Sequence, residues 1–492
     1  MINDTKPFLY NYLHLIVGNA GFAIISFINL FLMVRILSPA GYGSYVLFIS
    51  VASSIAVLTL WTSSSIVRFG REEFATEGSV KKTFWANYGI LLPAFVFCLL
   101  LVFLFRVRLS DYIGISQNAC LLLFVYILFS NLVSSVPIAF QAMGKIKHFS
   151  YLSLIFSGSF LVVLIVIYLK SLPVSIEMVI ALLIFANLLA VAIGLWLLRK
   201  DIIPICFSKD WIKRCFSYSW PYTFGGVSQI VSQNFGQIVI GLFMTGSFVG
   251  IYNVAFLLQG YLIMIPMLSI GLMFPLMTSL VVTGEKTRIE RYSRVYAPQI
   301  GFFWALFISV FLLFAPEIFL LFGPDYVAAS LPFAILLVGI TFRIFTTINS
   351  PILVSYGLTK HAVSVSIVMG AILLGLYFLL IPKLGISGAA IASTVVFIFG
   401  AVAYSFILLK WLRINDYRNY LWVFPAIIAF VGFILIDSLL LRLLFLVVMM
   451  AISLLVAKKS AVFNLESLAI LDSIDMPFSV RRTIRQVYSV LL

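Results

Sequence analysis

The sharpest chemical feature of this 492-residue chain is an arginine deep inside an apolar run. Arg343 falls about two thirds of the way through the segment 327–350, and Thr346, Thr347 and Ser350 lie on the same helical face. A guanidinium at membrane depth is costly and marks a functional site by default. Its planar fork of donors matches the charge and shape of phosphate. Two structural roles compete with that reading: snorkelling toward the cytoplasmic surface and pairing with backbone carbonyls.

A second feature is an amide stripe in the stretch Ser217 to Met244, SYSWPYTFGGVSQIVSQNFGQIVIGLFM. Gln229, Ser232, Gln233, Gly236 and Gln237 recur at i, i+3, i+4, i+7 and i+8, one side of a helix, with Asn234 beside them. Val227, Ile230, Val231, Phe235, Ile238 and Val239 occupy the other sides. Amides at that depth must face protein or water. They either glue helices together or line a polar cavity, where they would match sugar hydroxyls. Four amides in nine positions favour the cavity. Pro221, Gly225 and Gly226 just before the stripe are expected to bend the helix.

Lesser candidates follow the same logic. Ser50, Ser53, Ser54, Trp61, Ser64, Ser65 and Arg68 form a helical stripe, with serines that also suit close helix packing. Arg68 at its end is a binding group or a topology anchor. Asn29, in an arc with Asn19 and Ser26, could face a cavity, and Arg35 ends the same run. Asn131, Asn253 and Gln259 are weaker. His14, His148 and His361 have no partners at metal-ligand spacing, and Cys98, Cys120, Cys206 and Cys215 are scattered and expected to be free thiols. Carboxylates are nearly missing from the apolar runs, Asp437 being the clearest, and that weighs against a carrier of cations. No phosphate-binding loop, nucleophile elbow or zinc-protease motif is present, so no cofactor, metal or catalytic residue is expected.

These groups sit in a chain that is 63% hydrophobic and 10% charged, with a mean hydropathy of +1.15. Apolar runs long enough to cross a bilayer recur throughout. About 14 are expected, at 12–34, 44–67, 85–105, 118–140, 149–169, 178–198, 218–244, 250–280, 296–315, 327–350, 362–381, 385–409, 420–440 and 443–457. The expected fold is all-α and polytopic. The N-terminus lacks the basic cluster and cleavage site of a leader, so the first run is expected to stay.

The net charge of +15 could suggest nucleic acid, but its distribution argues otherwise. With the N-terminus cytoplasmic, only Arg35, Arg106, Arg108, Lys170, Lys383 and Arg442 fall outside. Every other Lys and Arg except Arg343 falls inside, which places both termini in the cytoplasm and excludes a nucleic-acid partner. No outer loop is long enough for a soluble catalytic domain. DIIPICFSKDWIKRCF (201–216) reads as an interfacial helix, and RRTIRQ in the tail as a membrane-surface segment.

The chain also repeats weakly. MGKIKHFSYLSLI (143–155) aligns with YGLTKHAVSVSIV (356–368), and Gly43-Ser-Tyr45 with Gly250-Ile-Tyr252. The similar offsets indicate two six-helix repeats plus a C-terminal helical hairpin. The expected parts are a lobe at 1–200, a linker at 201–217, a lobe at 218–410, the hairpin at 411–457 and a cytoplasmic tail at 458–492. In transporters built from repeats, the substrate path lies between them.

On this plan the chain resembles the multidrug/oligosaccharidyl-lipid/polysaccharide (MOP) exporter superfamily, in its polysaccharide transporter branch. VRILSPAGYGSYVLF (34–48) is similar to that family's first outer turn, SSIVRFGREE (64–73) to the inner end of span 2, and PKLGISGAAIAS (382–393) to the turn between spans 11 and 12. The resemblance implies a flippase of the O-antigen (Wzx) type. Such a protein moves an undecaprenyl-diphosphate-linked oligosaccharide across the bacterial inner membrane by alternating access. It also implies cationic cavity residues for the diphosphate–sugar head, here Arg343 with the Gln233 stripe, then Arg68 and Arg35. Membrane lipid, a polysaccharide polymerase and a chain-length regulator are the implied partners. A multidrug-type antiporter and a lipid II-type flippase remain open, although the latter typically has several arginines within span 1.

Overall fold

The computed structural model of the chain describes residues 5–60, 62–220, 222–413 and 420–460. Trp61, Pro221 and the RRTIRQ segment of the tail lie outside those residues.

Among the described residues every regular element is helical. A helix satisfies its own backbone N–H and C=O groups, which hydrocarbon cannot do. In chain order the first helices are α1 (Thr5–Ile36), α2 (Pro39–Leu60), α3 (Ser63–Glu77), α4 (Lys81–Ile113), α5 (Leu121–Ala142), α6 (Ile146–Leu169), α7 (Ile176–Ile202), α8 (Lys209–Ser219), α9 (Tyr222–Ile230) and α10 (Gly236–Phe243). There follow α11 (Gly246–Val282), α12 (Lys286–Arg291), α13 (Ala297–Leu313), α14 (Ala315–Leu320), α15 (Ser330–Ser355), α16 (Thr359–Ile407), α17 (Val423–Leu435) and α18 (Leu439–Lys459).

Among the described residues ten helices are long and apolar enough to cross a membrane, with shorter apolar helices at Ala20–Ile36 and Val423–Leu435. With the two shorter helices included, three expected spans account for the rest of the difference from about 14. The span at 218–244 is divided between α9 and α10 by a π-helical turn, Val231–Phe235. The spans at 362–381 and 385–409 run together as α16, broken where Gly385 takes φ 60°, ψ −140°, a conformation that a side chain would strain.

The chain divides into two compact units, Met1–Val254 and Ala255–Leu492. The boundary falls inside α11, later than the linker read from the sequence. The reason lies in the first unit: α9, the π turn and α10 all pack on α2. The start of α11 also meets the start of α2. A Cβ on Gly43 would overlap the Gly246 carbonyl, and one on Gly250 would come within 2.6 Å of the Pro39 carbonyl. Tyr42 donates to Asn253 Oδ1 at 2.8 Å beside this contact.

At the basic end of the first unit, polar groups close the helix ends. Glu73 on α3 is 1% exposed. Its two oxygens accept from the backbone N–H groups of Lys82 and Thr83, each at 2.8 Å. A carboxylate there satisfies orphan donors and complements the positive end of α4. Lys145 pairs with Asp201 at 2.8 Å, Val80 donates to the Asp201 carbonyl at 3.0 Å, and Trp85 Nε1 to the Ile202 carbonyl at 2.8 Å. Beneath them Ile66, Phe84, Val136, Phe140 and Leu198 form an apolar core. The amphipathic α8, predicted as interfacial, packs Trp211, Ile212 and Cys215 against Phe69 and Ala86.

In the second unit α15 packs along α16. Gly339 lies against Thr394, whose hydroxyl donates to the Ile335 carbonyl at 2.9 Å. Gly301 on α13 lies flat against the buried Trp422. Arg442, read from the sequence as a turn residue, is 5% exposed. It donates to both carboxylate oxygens of Glu317, at 2.9 and 3.0 Å, and to the Ile436 carbonyl at 2.8 Å, tying the α17–α18 turn to α14.

Two substitutions test these closures by thermal unfolding of the purified protein. Glu73→Ala strands two buried backbone donors and is expected to cost about 1–3 kcal/mol, with Glu73→Gln costing less. Glu317→Ala leaves a buried guanidinium without its counter-ion. Because the carboxylate is partly solvated, the expected loss is about 1–3 kcal/mol, below that of a fully buried pair.

Candidate functional site

The amide stripe does not lie on a straight helix. A π turn adds a residue to the local repeat, so every side chain after it is rotated by about 100° from its place on an unbroken α-helix. Gln229 and Gln233 are exposed, Ser232 and Asn234 half-buried, and Gln237 is 3% exposed. The stripe therefore has an open half and a packed half. The packed half is fixed by the fold: Tyr112 on α4 donates to the Ile238 carbonyl at 2.6 Å, and Gly241 lies against Leu47 and the Tyr112 hydroxyl. The open half begins where Gly226 lets α9 approach Val57. Such π turns recur at functional sites, where they free backbone groups and re-aim side chains.

Arg343 lies within α15, half-buried, with its guanidinium 5.3 Å from the centre of the Phe397 ring on α16. Among the described residues no carboxylate pairs with it. Thr346 Oγ1 donates back to the Arg343 carbonyl at 2.8 Å, so that hydroxyl is used within the helix. Thr347 is 7% exposed. Asn349, one further turn along, is fully buried and donates to the Phe345 carbonyl at 2.9 Å, while its Oδ1 has no hydrogen-bond partner. The guanidinium thus rests on an aromatic face, beside hydroxyls and with no carboxylate partner among the described residues.

The remaining expected residues have distinct surroundings. Arg68 is exposed on α3, its guanidinium 4.6 Å from the Tyr218 ring centre and 5.3 Å from that of Phe69. Arg214 approaches the same Phe69 ring at 4.4 Å but is bound to Glu72 at 2.9 Å. Arg35 is exposed at the end of α1, 5.4 Å from the Phe31 ring centre. Asn29 donates to the Ser157 carbonyl at 3.1 Å and to its hydroxyl at 3.3 Å, which joins α1 to α6. Gln229, Gln233, Asn234, Gln237, Arg68, Arg35 and Asn29 belong to the first unit and Arg343 to the second.

Asn87, Asn349 and Glu73 are buried polar residues that escaped the sequence reading, while Asn131 and Gln259 were named in it as weaker candidates. Asn87 on α4 is fully buried and neither atom of its amide has a hydrogen-bond partner, and the polar ends of Asn131 and Gln259 are half-satisfied or unsatisfied. Asn349 was legible as one turn beyond Thr346 on the arginine's helix. Glu73 was not, because a buried acid that caps a neighbouring helix leaves no periodic mark. The four cysteines are free, and burial on the packed side of α8 pushes the Cys215 thiol up to about 11, so it stays neutral. No group of three or more metal-ligating side chains occurs among the described residues.

A family model described as "Polysaccharide biosynthesis protein" matches residues 8–281. No curated protein matches the chain. Among solved structures, an inward-facing multidrug resistance MATE family transporter of the MOP superfamily superposes with a TM-score of 0.66 at 16% identity, covering 80% of this chain and 94% of that one. The lipid II flippase MurJ, inward closed, superposes at 0.66 with 14% identity, covering 90% and 99%. A MOP superfamily transporter from Pyrococcus furiosus, described by a reversed polarity of its binding pocket, superposes at 0.53 with 15% identity, covering 83% and 95%. At these identities the structures establish the fold, and the family model covers more than half of the chain. This multi-pass membrane protein therefore has the fold of MOP-superfamily transporters and belongs to the polysaccharide biosynthesis protein family.

Proposed function

We propose that the chain is a flippase for an undecaprenyl-diphosphate-linked oligosaccharide, an O-antigen or capsule-type repeat unit, in the bacterial inner membrane. The observation that carries this reading is Arg343: a guanidinium within a membrane-spanning helix, resting on Phe397, with no carboxylate paired to it among the described residues. A transporter that keeps such a cation through its cycle gains its counter-charge from the cargo. A diphosphate supplies it in a form that the planar fork of donors can grip.

The other groups take supporting roles. Gln229 and Gln233, with Asn234, offer donors and acceptors to sugar hydroxyls from the open half of the stripe. Gln237 and Asn29, held by packing and by Ser157, position the helices that carry these groups. Arg68 and Arg35 receive the anionic head as it arrives or leaves. The protein presents these groups to each side in turn, with both termini in the cytoplasm, and hands its product to a polymerase and chain-length regulator. Binding and release suffice for this work, so no cofactor enters. An antiporter of cationic drugs would call for acids facing the cargo; the buried Glu73 is instead spent on the end of α4.

In cells lacking the protein, a complete undecaprenyl-linked repeat unit should accumulate while the surface polymer disappears. Persistence of the polymer without accumulation, in cells with no second such gene, would overturn the glycan reading. Arg343→Ala should lower transport about ten- to a hundredfold at an unchanged protein level, with Arg343→Lys retaining part. A fully active alanine variant removes Arg343 from the site. Gln233→Ala, at an exposed position, should change stability by less than about 0.5 kcal/mol and still impair transport. Gln237→Ala should lower the melting temperature first.

A further inference from the structure

At the basic end of the first unit, Phe69 on α3 gathers cations from two helices. The Arg214 guanidinium of α8 lies 4.4 Å from its ring centre and that of Arg68 5.3 Å, both within the ~6 Å reach of a cation–π contact. The Tyr218 ring meets Phe69 edge-on, with ring centres 5.2 Å apart, and its own centre lies 4.6 Å from the Arg68 guanidinium. Phe69 and Cys215 are buried while Arg68, Glu72 and Arg214 are exposed. Packing therefore fixes the aromatic seat, and water reaches the charges on it. Arg71 is engaged elsewhere, donating to the Ala142 carbonyl at 3.4 Å.

The two cations are not equivalent. Arg214 gives one nitrogen to both carboxylate oxygens of Glu72, at 2.9 Å each. Arg68 has its aromatic seat and no carboxylate among the described residues. Glu72 stands one turn from Arg68 on α3, so one acid is placed beside two arginines. The side chains of the Arg214–Glu72 pair are 47% and 48% exposed. An ion pair so open to water is weak and readily exchanged. Using one nitrogen for both oxygens also leaves most of the Arg214 fork unspent, whereas a phosphate can take two parallel bonds from it.

We infer that Arg68 and Arg214 form a binding site for a lipid-linked diphosphate, and that Glu72 is the internal anion which the diphosphate displaces. Resting on the flippase reading, the inference adds Arg214 to the groups that meet the head of the cargo and gives Glu72 a part in selecting it. The faces of α8 favour this occupant over a bulk phospholipid. At about 100° per residue, Phe216 and Trp220 fall on one flank of α8 and Arg214 and Tyr218 on the other, with the packed Trp211, Ile212 and Cys215 between them. The apolar flank, where Phe216 and Trp220 are 45% and 49% exposed, suits hydrocarbon. The arginine flank is left for water and polar groups. A singly charged anion there replaces Glu72 with its like and gains little. A diphosphate brings more charge and has a phosphate for each arginine. Its arrival also loosens one tie between α3 and α8, the helix that leads into α9 and the open half of the amide stripe.

The test is the binding of tritiated farnesyl diphosphate to the full-length protein in phosphatidylcholine nanodiscs. It is run in an Arg343→Ala background, so that the intramembrane cation does not contribute. Glu72→Gln removes the competing charge and should tighten binding about three- to fivefold at an unchanged melting temperature. Arg68→Gln should weaken it about tenfold. Arg214→Lys keeps the charge, loses the fork and should weaken it several-fold, which separates the role of the fork from that of charge alone. Inorganic pyrophosphate should compete, and phosphatidylglycerol added to the disc should not. Binding that is unchanged or weaker in Glu72→Gln overturns the displacement. Binding that survives Arg68→Gln and Arg214→Lys together overturns the site. Equal competition by phosphatidylglycerol overturns the diphosphate and leaves an ordinary headgroup contact. The two readings fail separately: deficient cells that keep their polymer without accumulation remove the flippase, whereas the response to Glu72→Gln is decided on the purified protein.

Discussion

Everything in this chain follows from one constraint: hydrocarbon offers no partner to a polar group. The backbone answers with helices, which make up every regular element among the described residues. Polar side chains answer by finding partners inside the protein. Asn29 spends its donors on Ser157, Tyr42 on Asn253, and Arg442 on Glu317. Glu73 is spent on the first turn of α4. Against that background the groups that stay uncommitted stand out. Arg343 keeps its guanidinium on an aromatic ring, and Gln229 and Gln233 keep their amides exposed.

The same constraint decided what could be read in the sequence. An apolar run of about 20 residues has one outcome in a bilayer, so the all-α fold was legible, and Lys and Arg in alternate loops gave a consistent direction. The helix that carries Arg343 was legible for the same reason. Local breaks were not. Nothing in VSQNF marks a π turn, because the extra residue is selected by how α9 and α10 seat on α2 and not by composition. The break at Gly385 is the exception: Pro382 and Lys383 interrupt the apolar runs there, and the turn between the two predicted spans was read from them. The amphipathic character of α8 was visible from its mix of basic and aromatic residues. The partner of Arg442 was not, since Glu317 lies far away in sequence.

Division of labour along the amide helix is the main structural addition to the sequence reading. Periodicity alone treats Gln229, Gln233 and Gln237 as equals. The structure separates them, with the last packed and the first two open. Packing on one side of the π turn and exposure on the other allow a polar face to be held firmly without being buried. Unpaired buried amides such as Asn87 and the half-paired Asn349 mark places where a water or a rearranged neighbour completes the set.

The contact between α2 and α11 has a consequence for how such a chain can change over time. Gly43 and Gly250 hold matching places in the two segments that the sequence aligns, and each lies against backbone of the other's helix. Once a duplicated segment meets its own copy in this way, neither copy is free to drift. A side chain gained on one helix collides with main chain on the other, and main chain cannot be mutated out of the way. The pair is inherited as a single trait, and the two positions stay coupled while the sequence around them changes.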